Sequence, residues 1–334
     1  MVQLNTANIG SYPRVGDSKE EQKLRRAISR FEQDEISEDE LTDVQHEVIR
    51  DVVAEQEEAG VDQVTDGQIR WYCPFSHMVR KMDGTDINGL VRYFDTNFYF
   101  RQPLIHDAPQ RTGSIAGSEL DVATEASSRP VRQVLTGPFT LAKYSIPAEE
   151  AEQELSLREL TLEYADALAE EINDLQDRGV GTIQLNEHGL RDAEGSDEEQ
   201  LLVDALNEIR KQVGQDVRLA AAFSYGSPSR ALPLLDQISV DEVVLDVVYN
   251  EDVRDEIPGQ TDGADLVLGV LNARNTKLET PGELASELRP LVESLDHEEI
   301  TLSPSTGLEL LPRNRAQEKL SVLVDLKNEL NQLL

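Results

Sequence analysis

Short apolar runs alternate with longer amphipathic segments along most of this chain of 334 residues. The apolar runs have the length of buried strands, and the segments between them repeat apolar residues at helical spacing. Eight runs qualify as strands, and they begin near residues 4, 61, 131, 182, 217, 242, 265 and 300. That alternation favours an α/β fold of the closed (β/α)8 TIM barrel type over an open doubly wound sheet. No glycine-rich nucleotide loop follows the first run, which also disfavours the open sheet.

The clearest helix start lies at Ser37, where Ser37 and Glu40 form a capping box before a regular apolar stripe. Further helices are predicted over residues 19–33, 156–176, 197–213, 230–238, 281–295 and 314–333. Because these helices alternate with the strands from end to end, residues 1–334 are predicted to form a single barrel domain.

The alternation stops between residues 71 and 130. Residues 90–101 are rich in aromatic side chains and are predicted to form a hairpin, whereas residues 109–130 contain few apolar positions. An insertion of this length in a compact fold usually forms a lid or a binding excursion. We therefore expect a barrel with an irregular insertion or hairpin lid after its second strand.

Acidic residues dominate the charge balance, with 65 of them against 31 basic ones and a formal net charge of -34. Such a surface is a poor partner for nucleic acid or for an anionic membrane. Because 39% of the residues are hydrophobic and recur in ordered patterns, the acidity belongs to a solvated surface rather than to a disordered chain. A lysine-poor acidic surface resembles that of halophilic proteins from a salt-rich cytoplasm, and an ordinary acidic protein is the alternative.

Cys73 is the one cysteine of the chain, so no internal disulfide and no cysteine-rich zinc pattern is available. The first residues lack the basic start and the apolar run of a signal peptide, and no stretch approaches the length of a membrane span. A cytoplasmic location is therefore expected.

Polar residues follow nearly every predicted strand. The pattern is clearest at Asn186, Glu187 and His188, which follow the apolar run of residues 182–185. Other residues of this kind are Ser11, Arg14, Asp66, Gln68, Arg70, Thr136, Thr140, Ser224, Tyr225, Asp246, Tyr249, Asn272, Arg274, Ser305 and Thr306. In a barrel the carboxyl ends of the strands meet at one face, where active sites are assembled. Each residue alone could cap a helix or satisfy a turn, but together they are predicted to line a pocket.

Five segments together resemble the cobalamin-independent methionine synthase family. They are residues 8–16, 56–68, 135–140, 183–190 and 303–312, and they occur in the family's order over nearly the whole chain. The resemblance implies a methyltransferase that moves a methyl group from a methylated folate to homocysteine. It also implies that full-length members carry two barrels, of which the carboxyl-terminal one holds a zinc ion that binds homocysteine as a thiolate. This chain has room for one barrel.

The positions that match the family's zinc ligands have changed. The family uses a His-x-Cys pair, a glutamate and a late cysteine, and the matching residues here are Ala222, Ser224, Asp246 and Thr306. Alanine, serine and threonine cannot build a thiolate-rich four-coordinate site. We therefore expect no metal and no tightly bound cofactor on this chain, and zinc only on a partner barrel.

The amino-acid site implied by the resemblance has changed as well. Ile9, Gly10 and Ser11 match the family, but its two acidic positions correspond to Gln68 and Asn186. Amides remove the charges that would pair with an ammonium group, so the affinity for homocysteine is expected to fall.

A further match is Arg14, which resembles an arginine of the amino-terminal barrel that helps to hold the glutamate tail of the folate. Lys19 or Lys23 could accompany it. The predicted substrate-binding set is completed by the strand-end residues Arg70, Glu187 and Asp246, and no catalytic residue is assigned. The chain thus resembles the amino-terminal, zinc-free half of the family.

Three functions are open at this point. The first is a methyltransferase of the methionine synthase type that works beside a separate zinc-bearing barrel. The second is a non-catalytic or folate-binding barrel subunit. The third is an enzyme of the uroporphyrinogen decarboxylase type, for which Arg14, Arg70, Arg92 and Arg101 would have to converge.

Overall fold

The computed structural model describes residues 2–151, 155–248, 251–261 and 263–334, so the predicted site residue Tyr249 lies outside the described residues. The strands are β1 (Gln3–Thr6), β2 (Met82–Arg92), β3 (Tyr99–Arg111), β4 (Arg132–Thr136), β5 (Ile146–Pro147), β6 (Thr182–Asn186), β7 (Arg218–Phe223), β8 (Glu242–Asp246), β9 (Asp265–Leu271) and β10 (Glu299–Pro304). The helices are α1 (Lys23–Glu32), α2 (Glu38–Ala59), α3 (Pro74–Val79), α4 (Gly117–Ala126), α5 (Pro138–Lys143), α6 (Leu157–Asp177), α7 (Ser196–Val213), α8 (Pro281–Ser294) and α9 (Arg313–Leu333).

A parallel sheet forms the centre of the fold. Its strand order is β1-β10-β9-β8-β7-β6-β4, so neighbours in the sequence are mostly neighbours in the sheet. Between the edge strands β1 and β4 lie Gln63 and Val64, which form parallel bridges to Ala7 and Val131. The eighth position of the ring is thus held by single bridges rather than by a regular strand.

The strand predicted over residues 61–69 is therefore wrong in its extent. Only Gln63 and Val64 pair with neighbouring strands, and the chain then turns at Gly67 and Gln68, whose φ angles are 70° and 52°. A left-handed backbone cannot continue a strand, and for the non-glycine Gln68 it is a strained conformation. This turn brings Gln68 to the carboxyl face of the sheet instead of extending the sheet.

Most of the amphipathic segments form helices around this sheet, as predicted. Ser37 and Glu40 form the expected capping box at the start of α2, and Ser156 and Glu159 form a second one at the start of α6. The helix predicted over residues 230–238 is instead two short 3-10 turns, Pro228–Arg230 and Leu232–Gln237. None of the described helices is both long and apolar enough to cross a membrane.

The insertion between residues 71 and 130 is more regular than its sequence indicates. The aromatic stretch belongs to a long antiparallel hairpin of β2 and β3 that spans Met82–Arg92 and Tyr99–Arg111, well beyond the predicted residues 90–101. The segment predicted to be irregular, residues 109–130, contains α4, which packs against α2. No side chain caps the start of α4, so its sequence gives no start signal.

A network of buried polar side chains connects several strands of the sheet near their amino-terminal ends. The side chain of Arg132 is 1% exposed and donates to Gln63 Oε1 at 2.9 Å and to Gln184 Oε1 at 3.0 Å. The same guanidinium forms an ion pair with Glu242 at 2.5 Å, across the sheet from β4 to β8. This network joins non-adjacent strands, so it fixes their relative positions.

Replacing Arg132 by methionine is expected to lower the free energy of unfolding by about 3–5 kcal/mol, because the buried carboxylate of Glu242 loses its close partner. Arg218→Met is the matched control, since Arg218 is half exposed, lies 3.7 Å from Glu242 and pairs mainly with exposed Asp265. It is expected to cost about 0–1 kcal/mol. Urea unfolding curves measure both, and equal losses would contradict a structural role for the buried pair.

Candidate active site

A cavity of about 260 Å³ opens at the carboxyl end of β1, where the predicted polar residues of the first two strand positions meet. It is lined by Ser11, Tyr12, Arg14, Gly67, Gln68, Trp71, Tyr72, Cys73, Pro74, Phe98 and Glu309. The structure therefore brings together Ser11, Arg14 and Gln68 of the predicted binding set. Phe98 comes from the turn of the β2–β3 hairpin, so the insertion contributes one wall.

Two loops build the floor of the cavity by packing backbone against backbone. A Cβ atom on Gly10 would lie 3.1 Å from Gly307 Cα, and a Cβ atom on Gly307 would lie 3.0 Å from the backbone nitrogen of Ser11, so both positions are crowded. The N–H of Leu308 donates to the carbonyl of Ser11 at 2.7 Å, and the N–H of Tyr12 donates to the carbonyl of Gly67 at 2.9 Å. Ser11 is thus held between the loop after β10 and the turn at Gly67.

One guanidinium group, of Arg14, and one carboxyl group, of Glu309, line the cavity. Arg14 is half-buried, and its Nη1 donates to the carbonyl oxygen of Trp71 at 2.8 Å. The Ser11 hydroxyl donates a short hydrogen bond to the carboxylate of Glu309. Burial raises the pKa of Glu309, and the Ser11 hydroxyl and Arg14 oppose that rise. Arg14 and Glu309 therefore act on each other electrostatically across the site.

Sequence reasoning missed Glu309. It lies in the segment 303–312 that carries the family resemblance, but it follows the end of β10 by five positions and stands beside apolar residues. An acidic residue within an apolar loop at the carboxyl end of a strand was the available signal. The lysines considered as partners of Arg14 are not lining residues of the cavity, and Lys23 is paired with Asp51 at 2.7 Å.

Arg70 and Ile9 have structural partners outside the cavity. The guanidinium of Arg70 donates to Gln45 Oε1 at 3.0 Å and to Ser118 Oγ at 2.5 Å, which directs it toward α2 and α4. Ile9 is buried, and its carbonyl accepts from Gln184 Nε2 at 2.8 Å. Gln68 does line the cavity, while its Nε2 donates to the carbonyl of Val134 at 3.3 Å.

The residues at the end of β6 are mostly used to hold the fold. The buried carboxylate of Glu187 accepts from the N–H of Phe139 at 3.1 Å and from the N–H and hydroxyl of Thr140 at 2.8 and 2.6 Å. It therefore anchors the start of α5 and does not face the cavity. Burial raises the pKa of Glu187 to about 7, although its bonds to Thr140 and Phe139 oppose the rise. Asn186 accepts from Gln184 Nε2 at 2.7 Å.

His188 is buried, and burial lowers its pKa to about 3, so the ring is neutral near pH 7. Its Nδ1 accepts from the N–H of Ser224 at 3.3 Å, which leaves the proton on Nε2. The ring packs edge-on against Tyr225, with 5.0 Å between centroids. It is a packing residue at the mouth of the barrel.

An aromatic cluster from the hairpin turn covers the mouth beside the cavity. Phe94 stacks on Tyr225 with centroids 4.8 Å apart, and Tyr93 meets Tyr225 edge-on at 5.3 Å. The guanidinium of Arg191 lies over Phe94 at 5.1 Å. Phe94 and Tyr225 have φ angles of 51° and 64°, which are strained for aromatic residues. Strain of this kind concentrates at functional sites, where the surrounding structure enforces it.

Comparison with known proteins agrees with this geometry. Residues 4–329 match the family model described as "Cobalamin-independent synthase, Catalytic domain". The chain belongs to the cobalamin-independent synthase family. Among curated relatives, the methionine synthase of Sulfolobus acidocaldarius is 27% identical over 322 residues, which is 96% of this chain and 90% of that protein. The methionine synthase of Sulfurisphaera tokodaii is 28% identical over 321 residues, which is 96% of this chain and 90% of that protein.

Solved structures confirm the predicted fold class. A B12-independent methionine synthase from Shewanella sp. W3-18-1, in complex with selenomethionine, matches with a TM-score of 0.81 at 18% identity and covers 99% of this chain and 98% of that one. A putative vitamin-B12 independent methionine synthase from Listeria monocytogenes matches with a TM-score of 0.74 at 19% identity, and the match covers 98% of each chain.

The residues at the family's zinc position do not fit a zinc ion. Ala222 ends the interior row of β7 and packs with Ile9, Val244 and Val267 in an apolar cluster. The Ser224 hydroxyl donates to the carbonyl of Ser305 at 2.9 Å, so its proton is engaged in a hydrogen bond within the fold. Within residues 2–151, 155–248, 251–261 and 263–334, no group of three or more His, Cys, Asp or Glu side chains is placed to hold a metal. The donor set offers one carboxylate, Asp246, and two neutral hydroxyls.

A buried acid, Asp66, lies directly before the turn that carries Gln68. Its side chain is fully buried, and neither carboxylate oxygen has a hydrogen-bond partner of good geometry in the described part of the chain. Burial, reinforced by Glu119, raises its pKa from 3.8 to about 7. Below that value the folded chain keeps Asp66 protonated, whereas the unfolded chain ionises it above 3.8. Stability contributed by this residue is therefore lost as the pH rises from about 4 to 7.

Asp66→Asn is expected to stabilise the chain at pH 8 by about 1–4 kcal/mol, because the amide carries no charge to desolvate. At pH 4.5 the gain should largely disappear, since the wild-type carboxyl is then protonated in the fold. Urea unfolding at both pH values measures the difference.

The control is Asp62→Asn, four positions earlier. Burial opposes ionisation of Asp62, but the bonds from Lys327 and Thr6 outweigh it and lower its pKa. This variant should therefore be less stable than wild type at pH 8. If both substitutions shift stability in the same direction at pH 8, the fold does not raise the pKa of Asp66.

Proposed function

We propose that this chain is a methyltransferase of the methionine synthase type, that it acts in methionine biosynthesis on homocysteine with a methylated folate as donor, and that it works beside a separate zinc-bearing barrel. One observation carries the proposal. The family match extends over residues 4–329, while the positions of the zinc ligands hold Ala222, Ser224, Asp246 and Thr306. The chain thus keeps the scaffold and lacks the thiolate donors.

The acceptor of such a reaction is a thiol, which reacts as the thiolate and has an ordinary pKa of about 8.5. When bound in other members, zinc supplies the stabilisation of that thiolate. His188 is a poor base for this task, because its Nδ1 accepts from the N–H of Ser224 and burial lowers the pKa of the imidazole to about 3. Glu187 is committed to the start of α5. Activation of the thiol is therefore assigned to the partner barrel.

This chain would supply ligand binding and exclusion of water. The charged pair of Arg14 and Glu309 orients a ligand in the cavity, and Trp71 and Phe98 provide apolar walls. The relative from Shewanella was solved with selenomethionine, which supports an amino acid as one ligand of this fold.

A folate-binding or non-catalytic barrel subunit is the second candidate, because the altered zinc position is equally compatible with a chain that only binds. The decarboxylase alternative has no structural support. Arg70 is directed toward α2 and α4, Arg92 donates to the carbonyls of Asp95 and Thr96 within the hairpin, and Arg101 lies over Tyr72. The arginines therefore do not converge with Arg14 on one pocket. The assignment of the acidic surface to a salt-rich cytoplasm stays a prediction.

The proposal is tested by measuring methyl transfer from methylated folate to homocysteine with the purified chain, with a zinc-bearing family member from the same genome, and with both together. We expect transfer only in the mixture, and no stoichiometric zinc in the purified chain by elemental analysis. In the mixture Arg14→Ala should reduce transfer roughly 10- to 100-fold, because a charge-assisted contact is lost. Arg25→Ala, on the exposed side of α1, is the control and should leave transfer unchanged.

Two results would contradict the proposal. Transfer by the chain alone, with one zinc ion bound, would show that it needs no partner. Transfer by the zinc-bearing protein at the same rate with and without this chain would instead favour the non-catalytic subunit.

A further inference from the structure

The β2–β3 hairpin has an outer face on which apolar and basic side chains stand together. In its antiparallel register Leu90 pairs with Arg101, and Arg92 pairs with Tyr99. Cross-strand partners share a face of a sheet, and so do residues two positions apart on one strand. The four side chains therefore lie on one face. Phe100, between Tyr99 and Arg101, points to the opposite face and is buried.

This face is unusually exposed for its apolar content. Leu90 is 57% exposed and Tyr99 is 51% exposed. Tyr72, which is 49% exposed, extends the face, because the guanidinium of Arg101 lies over its ring at 4.9 Å. Among the residues that the structure describes, the other exposed large hydrophobic side chain is Phe31 on α1. We call the following five residues the hairpin patch: Tyr72, Leu90, Arg92, Tyr99 and Arg101.

The hairpin patch also differs from the rest of the chain in its charge. Residues 71–111 contain five basic and four acidic residues, whereas the whole chain contains 31 and 65. Arg92 donates to the carbonyl oxygens of Thr96 and Asp95, and Arg101 lies over Tyr72, so both guanidinium groups have neutral partners. The carboxylate of Asp95 is directed to Arg191 at 3.5 Å. The patch therefore presents positive charge on an otherwise acidic chain.

The composition of the hairpin patch indicates a protein partner. Tyrosine and arginine are the residue types that contribute most often to the binding energy of protein interfaces. Nucleic acid is disfavoured by the net charge of -34 on the chain. A second copy, docked by the same patch, would bring two arginines from each copy together, and like charges at an interface are unfavourable. An acidic protein surface fits the patch, and repulsion from the remaining acidic surface restricts its docking to this face.

The hairpin patch is continuous with the cavity. Tyr72 belongs to the patch and also lines the cavity, and Phe98, which lines the cavity, directly precedes Tyr99. A protein bound to the patch therefore borders the opening in which the proposed reaction requires ligands to be held.

We propose that the hairpin patch is the docking surface for the zinc-bearing barrel of the proposed function, which contacts Tyr72, Leu90 and Tyr99 with apolar side chains and Arg92 and Arg101 with acidic ones. The inference rests on the proposed function for the identity of the partner. It gives the insertion between residues 71 and 130 a role in assembly in addition to its contribution to the cavity wall.

The apolar part of the patch is tested by isothermal titration calorimetry of the full chain with the zinc-bearing family member from the same genome. The double variant Leu90→Ser/Tyr99→Ser is expected to bind at least about tenfold more weakly than wild type, because two exposed anchors are removed. Phe31→Ser is the control, since it removes an exposed large side chain from α1, and its affinity should equal that of wild type. Circular dichroism melting checks that each variant is folded.

The charge of the patch is tested with Arg101→Glu. Binding is expected to weaken at least about tenfold at low ionic strength and by a smaller factor in high salt, because salt screens the charges. A merely structural effect would not depend on ionic strength in this way. Arg25→Glu makes the same charge change at an exposed position of α1 and should change the affinity by less than about threefold.

The inference is wrong if no complex forms, or if the patch variants bind the zinc-bearing protein as tightly as their controls do. It is also wrong if sedimentation of the chain alone shows a dimer that Leu90→Ser/Tyr99→Ser abolishes, since the patch would then serve a second copy. A patch-dependent complex without methyl transfer in the mixture would overturn the proposed function alone. Transfer that needs both proteins but is unaffected by the patch variants would overturn this inference alone.

Discussion

The close approach of Gly10 and Gly307 is the constraint on which the candidate site depends. It joins the loop after the first strand to the loop after the last one. A Cβ atom at either glycine would crowd the facing loop, and these two loops carry Ser11 and Glu309, which line the cavity together with Arg14. The charge arrangement of the site is thus set by backbone packing, and the side chains add chemistry to positions that are already determined.

The same scaffold explains how the chain keeps its family's fold although its residues at the family's zinc position differ. In the interior the network of Arg132, Gln184 and Glu242 holds strands together near their amino-terminal ends. Toward the other end, Ala222 completes an apolar layer where the family places a zinc ligand. The aromatic contacts of Phe94 and Tyr225 then cover the mouth. What remains accessible is the cavity beside them, which Arg14 and Glu309 line.

Much of the fold could be predicted from the sequence because several helices carry their own start signals, as the capping boxes at Ser37 and Ser156 illustrate. The second strand could not be predicted correctly. Its apolar residues continue to Ile69, but the chain leaves the sheet at Gly67 and Gln68, where a left-handed turn interrupts it. A turn that a non-glycine residue completes under strain has no clear sequence signal.

The site was harder to predict than the fold. A polar residue at a strand end has the same pattern whether it faces a ligand or the protein. Glu187 anchors α5 because Gly137 leaves room for its carboxylate. Glu309 faces the cavity, where it accepts from the hydroxyl of Ser11. These two residues lie 298 positions apart in the sequence. Pairings across such distances arise because the first strand lies beside the last one in the sheet, which local patterns do not encode.

The most direct test of the account is a crystal structure of the chain grown with L-methionine. The account predicts electron density for the amino acid in the cavity lined by Ser11, Arg14 and Glu309, and no metal ion at Ser224, Asp246 and Thr306. Density for the amino acid beside a metal ion at Ser224, Asp246 and Thr306 would contradict it.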